Sequence, residues 1–526
     1  MIVSVAQLLL DHGPGLTGDL LPYLEKTGLS RDAARQRLSR RSGPVRTLSG
    51  LSFPKNARFM YHEDQFGREP YWRALHRALT EGSPAYGPAL AGMVAHGGVV
   101  PKSLFPIVSG APIKQKGQTG SDAVLARLEA AGVLHQYALG DMPVVGLRGP
   151  FYDVDHDGLP ARMTVQTVLL DAVADWSRKL GLVSYNKVQV RHRNDPLPLF
   201  GTHAFDLTGP SYLAPMVRYK GGKPTPGAVV CDAYIGEMDL PAVRGFLRKC
   251  TTSRNLRRLP PFLPILIADG FTPDAFNAVR AQGIIATKPS ALFGRDVARG
   301  LAGLLETLRH ASAIAVANPD VIETLFKQLG HIEGAAGNLR GALFELIVGH
   351  VVHREGSSSI DIGRRVGLSA TDSVEIDIFS YSPNEVRVIE CKGYAPTHRV
   401  DAEEVSAWIR DKAPRIHKHF RVQDNYQNRP FRFEFWTSGT FTNEAHQLAA
   451  DVGKSTTKYE VELVAGQDVR ARIGKVNAAG LGKVFDEHYA KHPITKAERK
   501  FGQTDAFDQL LALTKPEVEL EDVVAP

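Results

Sequence analysis

The chemistry-bearing string of this 526-residue chain is VEIDIFSYSPNEVRVIECKGY. Asp377 lies in one apolar, alternating run, and Glu390-Cys391-Lys392 lies in the next, with a Pro-Asn turn between. Side chains alternate faces along a strand, so Glu390 and Lys392 share a face and Cys391 takes the other. A hairpin brings Asp377 beside them, so two carboxylates and an ammonium converge. The repulsion of the acids needs an offset, and a divalent cation supplies one. Hard carboxylate oxygens suit Mg2+, which takes one or two of them and keeps several waters; Mn2+ accepts the same donors. Lys392 then orients or deprotonates an attacking water, or stabilises charge building on a phosphate. Phosphodiester hydrolysis is the reaction such a set performs. The bland alternative is a charge pattern on a solvated sheet face. VRVIECKGY is mostly apolar and reads as a central strand, where charges need a reason.

The elements that must position these residues follow from periodicity. EGAAGNLRGALFELIVGHVVHR reads as a helix and SIDIGRRV as a strand, before the hairpin. VDAEEVSAWIRDKAPRIHKHFR is expected to be helical up to Pro414. RFEFWTSG, TNEAHQLAADVG and KYEVELVAG then read as strand, helix and strand, giving α-β-β-β-α-β-α-β. On the helix after the hairpin, Glu404, Trp408 and Lys412 fall at i, i+4 and i+8, a row that contacts DNA or metal-bound water or is simply a helix face. Arg415 belongs to a basic cluster with His417, Lys418, His419 and Arg421.

At these residues the chain resembles the PD-(D/E)xK nuclease superfamily, the restriction-endonuclease-like fold. In that family an acid follows a first helix and hairpin strand, and (D/E)-x-K sits in the next strand. Asp377 and Glu390-Cys391-Lys392 match those places, and the family's extra helix Glu corresponds to Glu345 in GALFE. The G-x-x-x-E spacing and the later strand-Gly-Phe-Thr-helix segment are similar to the branch containing resolvases and restriction enzymes acting on modified DNA. The resemblance spans residues 335–465 or so. It implies that Glu345, Asp377 and Glu390 hold Mg2+, with Mn2+ as a substitute, and that Lys392 activates or orients water. It further implies an endodeoxyribonuclease in restriction-type defence against phage or plasmid DNA.

Residues 162–294 read in the same element order, and an internal duplication is expected. The closest echo is LIADGFTPDAFNAVRAQG against FWTSGTFTNEAHQLAADVG. Here Asp206 stands where Asp377 does, and Cys231-Asp232-Ala233-Tyr234 stands where Ile389-Glu390-Cys391-Lys392 does. Asp171 or Asp175 takes the place of the helix acid. Tyr234 replaces the lysine, so this copy is expected to be degenerate and to serve DNA binding or packing. Its basic stretch offers Arg244, Arg248, Lys249, Arg254, Arg257 and Arg258 as DNA contacts.

Upstream, VSVAQLLLDHG, LTGDLLPYLEKTG and SRDAARQRLSRRSG read as three short helices, the last capped by Ser30. VRTLSGLSFPKNARFMYH follows as a strand pair. That outline is a winged helix-turn-helix, and Arg31, Arg35, Arg37, Arg40 and Arg41 on its last helix would grip phosphate or read guanine. Residues 66–150 repeat the outline. FYDVDHDGLPA contains DxDxDG, yet Thr164 stands where a calcium loop needs its bidentate Glu, so a solvated acidic linker is expected.

The expected architecture is multidomain α/β plus α+β. Winged-helix modules at 1–65 and 66–150 precede a degenerate nuclease-like unit at 162–294. A helical bridge at 295–334, the nuclease domain at 335–475 and a C-terminal helix and tail at 476–526 complete it. Composition agrees: 43% hydrophobic and 23% charged residues exclude disordered and fibrous classes. The net charge of +7 fits a polyanion partner. Three cysteines give neither a disulfide framework nor a CxxC zinc site, which points to a reducing cytoplasm. No apolar stretch reaches the roughly 20 residues of a membrane helix, and the first residues lack a signal peptide's basic region. GxxxxGK[ST] is absent, so no ATP motor is recognised. DNA is the expected partner, together with a second copy of the chain or a subunit of a defence complex. The competing expectation is a DNA-binding regulator or structural subunit with an inactive nuclease fold.

Overall fold

The computed structural model describes residues 4–490 except 41–42, 116, 140–141, 150–151, 192–195, 313–319, 330–335, 370–371 and 395–397. Arg41 and the tail from 491 onward therefore lie outside the described residues. The chain is a mixed α/β protein with several separate sheets and forms two compact units. One comprises Met1–Ile314, Thr324–Ala342 and Gly363–Ile376; the other comprises Ala315–Glu323, Leu343–Ile362 and Asp377–Pro526.

In the first unit, helices Val5–His12, Thr17–Glu25 and Arg31–Ser39 surround a small sheet of Gly15–Leu16, Phe59–His62 and Val45–Thr47, in that order. Leu8, Leu9, Leu20, Leu24, Ala34 and Leu38 recur at helical spacing and close one core with Val45 and Met60. Ser30 caps the third helix by accepting the Ala33 N–H at 3.3 Å. The pattern recurs in Gly87–Ala95, Val99–Pro101, Phe105–Ser109, Ser121–Ala130, Leu134–Leu139 and Met142–Leu147. There too the last strand is central, between the other two.

Each unit contributes to a five-stranded sheet, and the two sheets share one plan. The first runs Ile285–Thr287, Phe262–Ile267, Gly227–Ala233, Leu207–Ser211, Gln189–Val190. The second runs Glu460–Val464, Phe431–Thr437, Val386–Lys392, Ser373–Tyr381, Ser359–Gly367. In both, the first three strands are parallel and the fourth is antiparallel to the third. The register also matches: Leu207 faces Cys231 as Ile378 faces Ile389. The strand-Gly-Phe-Thr segments correspond, each pairing in parallel with a short bridge before the preceding helix. Thr272 and Thr442 cap the following helices, accepting the N–H of Ala275 at 3.4 Å and Ala445 at 3.2 Å.

Central strands are buried on both faces and so read as near-continuous apolar runs. Val386, Val388, Ile389, Phe433, Phe435 and Trp436 do this in the second sheet. One expectation needs correction: the helix after Val386–Lys392 does not stop at Pro414. Ala402–Ser406 continues through a wide turn, Ala407–Lys412, into Ala413–Arg421. In that turn the Ala413 N–H bonds to Trp408 O, five residues back. Proline lacks a donor and crowds the preceding turn; the π-type turn ahead of it absorbs the mismatch.

The DxDxDG segment is solvated only in part: Asp153 and Asp157 are exposed, and Asp155 is half-buried. Asp155 pairs with Arg162 and Arg309 and accepts the Gly158 N–H at 2.8 Å, so it anchors the start of the helix Gly158–Lys179. Among the described residues, no helix is long and apolar enough to cross a membrane.

Candidate active site

In the second sheet, the ladder ends at Ile378 opposite Ile389, and Asp377 and Glu390 are the next residues on the two strands. The Cys391 N–H donates to Asp377 Oδ2 at 2.7 Å and fixes that carboxylate. Lys392 Nζ donates to Glu390 Oε1 at 2.8 Å. Glu390 is nearly buried, its side chain 7% exposed, whereas Lys392 is 33% exposed. Burial works against the Lys392 ammonium, but Glu390 and Asp377 beside it outweigh burial and push its pKa above the ordinary lysine value. The Cys391 thiol is pushed far up, first by burial and then by Asp377, Glu345 and Glu390. Glu345 comes from the helix Ala336–Arg354, and its charge bears on the Cys391 thiol. Among the described residues, no group of three or more His, Cys, Asp or Glu is tight enough to hold a metal ion alone.

The helix row resolves into separate contacts. Lys412 Nζ lies 3.2 Å from Glu390 Oε2 and 3.4 Å from Oε1, inside the site. Period alone does not decide whether Lys412 meets DNA, metal-bound water or solvent; in the structure it meets Glu390. Trp408 is buried beneath it, with Lys412 Nζ 5.7 Å from the ring centre. Glu404 accepts the Tyr394 hydroxyl at 2.6 Å. Burial and that carboxylate push the Tyr394 phenol up to about 12.

The first sheet repeats the frame with different occupants. The Ala233 N–H donates to Asp206 Oδ2 at 2.9 Å, the counterpart of the Cys391–Asp377 bond. Asp206 is paired with Arg191, Nε to Oδ1 at 2.6 Å, and both side chains are under 5% exposed. Asp232 is paired with Lys249, which is fully buried and also donates to Ala204 O at 2.9 Å. Burial pushes the Asp232 carboxyl up to about 6 against the pull of the Lys249 ammonium. Tyr234, at the place of Lys392, donates its hydroxyl to Ala95 O. Asp171 accepts from Asn338 Nδ2 at 2.7 Å, and Asp175 pairs with Lys179 at 2.9 Å. The helix side chain that reaches this strand is Gln166, whose amide donates to Ala233 O.

The remaining basic residues divide. Lys249 is no DNA contact, because it is buried against Asp232. Arg244 donates to Thr80 O at 3.0 Å and Arg248 to Ala85 O at 3.4 Å, so both tie their helix to the neighbouring module. Gly110 (φ +60°) permits that close packing: a Cβ there would fall 2.5 Å from Gly245 O. Arg257 and Arg258 are exposed. On the third helix, Arg31 lies 3.9 Å from Glu25 and Arg35 lies 3.6 Å from Asp32, all four at or near the surface. Arg37 is half-buried, Arg40 is exposed at the helix end, and Arg415 is half-buried.

No family model matches this chain, and no curated protein matches it. A solved structure titled as a protein of unknown function, AF1548, is similar over 24% of this chain at 17% identity, with a TM-score of 0.18. The matched part covers 64% of that protein's length.

Proposed function

We propose that the chain is a metal-dependent DNA endonuclease whose working centre is in the second sheet. The observation that carries this reading is the placement of Asp377 and Glu390 side by side on one face, each held by its own donor. The five-stranded sheets are read as two restriction-endonuclease-like units, one active and one degenerate. The two three-helix modules are read as winged helices that place Arg31, Arg35, Arg37, Arg40 and Arg41 on DNA, with Arg257, Arg258 and Arg415 as further contacts. Cytoplasmic restriction-type defence is the setting this suggests.

The donor set fits Mg2+ or Mn2+. Two hard carboxylates on adjacent strands, Asp377 and Glu390, match an ion that takes few protein ligands and keeps its waters. When bound, such an ion polarises a phosphate and lowers the pKa of water. The chain's own groups do the rest. The Cys391 N–H keeps Asp377 aimed, and Lys392 orients Glu390. The Lys392 ammonium, one-third exposed, donates to charge that builds on the phosphate. With one such site per chain, a single chain nicks, and double-strand cutting takes a second copy.

The test is full-length protein with Mg2+ or Mn2+ on supercoiled, linear, modified and branched DNA at low salt. Nicked or linear products that vanish in Lys392→Ala, with DNA binding retained, support the reading. Intact DNA throughout ends it. A second reading, a DNA-binding regulator or structural subunit on an inactive nuclease fold, draws on the two ammonium groups already seated on Glu390. Operator-like binding without cutting favours it.

A further inference from the structure

Glu390 carries two ammonium groups: Lys392 on Oε1, and Lys412 within 3.4 Å of both oxygens. Two lysines thus meet on the one carboxylate of Glu390, next to Asp377. A lysine with the same duty occupies the first sheet. Lys249 lies ten residues beyond the helix cap Asp239, and Lys412 lies eleven beyond the helix cap Asp401. The extra residue is accommodated by the π-type turn Ala407–Lys412. Lys249 pairs with Asp232, and Lys412 pairs with Glu390, the residue at the same register position.

Their surroundings differ. Lys249 is fully buried, bonded to Ala204 O and set 4.4 Å from the Phe205 ring centre. It cannot leave without abandoning an acid in the core. The Lys412 side chain is 36% exposed, and solvent can take over its ammonium at little cost.

We propose that Lys412 is a displaceable counter-ion of Glu390, which competes with the divalent cation for that carboxylate and so sets the concentration at which the site loads. This inference rests on Asp377 and Glu390 being the metal-binding pair. Lys412 is a positioning residue here, acting through Glu390.

The test is titration of full-length protein with Mn2+, following the electron paramagnetic resonance signal of the free ion, without DNA. Removing the competing charge in Lys412→Gln should tighten Mn2+ binding about five- to tenfold, the scale of one half-exposed charge contact. Lys412→Arg keeps the charge and should stay close to wild type, which separates charge from packing; circular dichroism melts verify the fold. Asp377→Asn should weaken binding in every background. If Asp377→Asn weakens Mn2+ binding while Lys412→Gln leaves it unchanged or weaker, the competition is overturned and the metal pair stands. If no variant, wild type included, binds Mn2+, both fall.

Discussion

The first and second sheets hold their leading acid with the same backbone hydrogen bond, Ala233 N–H to Asp206 and Cys391 N–H to Asp377, and then part company. Adjacent carboxylates need a cation in either place. In the first sheet, Arg191 and Lys249 supply it permanently from inside the core. In the second, Lys392 and Lys412 are both about one-third exposed. A buried pair costs several kcal/mol to break, while a lysine that keeps about one-third of its surface in water exchanges more readily. The same strand geometry is therefore a structural clamp in one region and an accessible charged site in the other. Tyr234 at the place of Lys392 is one difference between the two regions; the buried Arg191 on Asp206 is another.

The sharpest way to break this contrast is to neutralise the matching acids. Asp377→Asn should lower cleavage by about a thousandfold or more while leaving the melting temperature near wild type, checked by plasmid nicking and calorimetry. Asp206→Asn should do the reverse. Arg191 would be left buried without its carboxylate, at a cost of about 3–5 kcal/mol by urea denaturation, with cleavage per folded molecule largely kept. Equal behaviour of the two variants would sink the distinction.

Next in size is DNA grip. Arg37→Ala with Arg40→Ala should weaken DNA binding about tenfold at low salt and flatten the salt dependence by about two ions, read by fluorescence anisotropy.

A pH slope should separate the units more gently. Burial, with Lys249 and Arg248 nearby, pushes His203 down to about 3, against about 6.5 in an unfolded chain. The unfolded chain then binds a proton that the folded one refuses. First-unit stability should fall as pH drops from about 6.5 toward 3, and His203→Asn should flatten that slope in urea melts. The smallest expected effect is none at all. Tyr234→Lys in an Asp377→Asn background should recover no cleavage, because Arg191 and Lys249 still hold both acids of the first sheet. Regained nicking there would show that the missing lysine alone silenced it.

The pairing of Asp377 with Glu390-x-Lys392 was legible because a strand's period of two and a short turn dictate register locally. The plan of both sheets was legible for a similar reason, since strand-Gly-Phe-Thr-helix is a local signal. What sequence hid was long-range. Nothing near Arg191 or Lys249 announces a buried acid partner, and a basic run such as Arg244 to Arg258 reads as solvated when half of it is packed. Helical spacing assumes 3.6 residues per turn and so carries no sign of the π-type turn that lets the helix run through Pro414.

Cys231, Cys250 and Cys391 are all buried, and burial comes first among the causes that raise each thiol. Thiolate is the reactive form, so alkylating reagents meet no nucleophile while the fold is closed. Iodoacetamide labelling then becomes a clock: modification of Cys391 times the opening of one unit, and modification of Cys231 and Cys250 times the other.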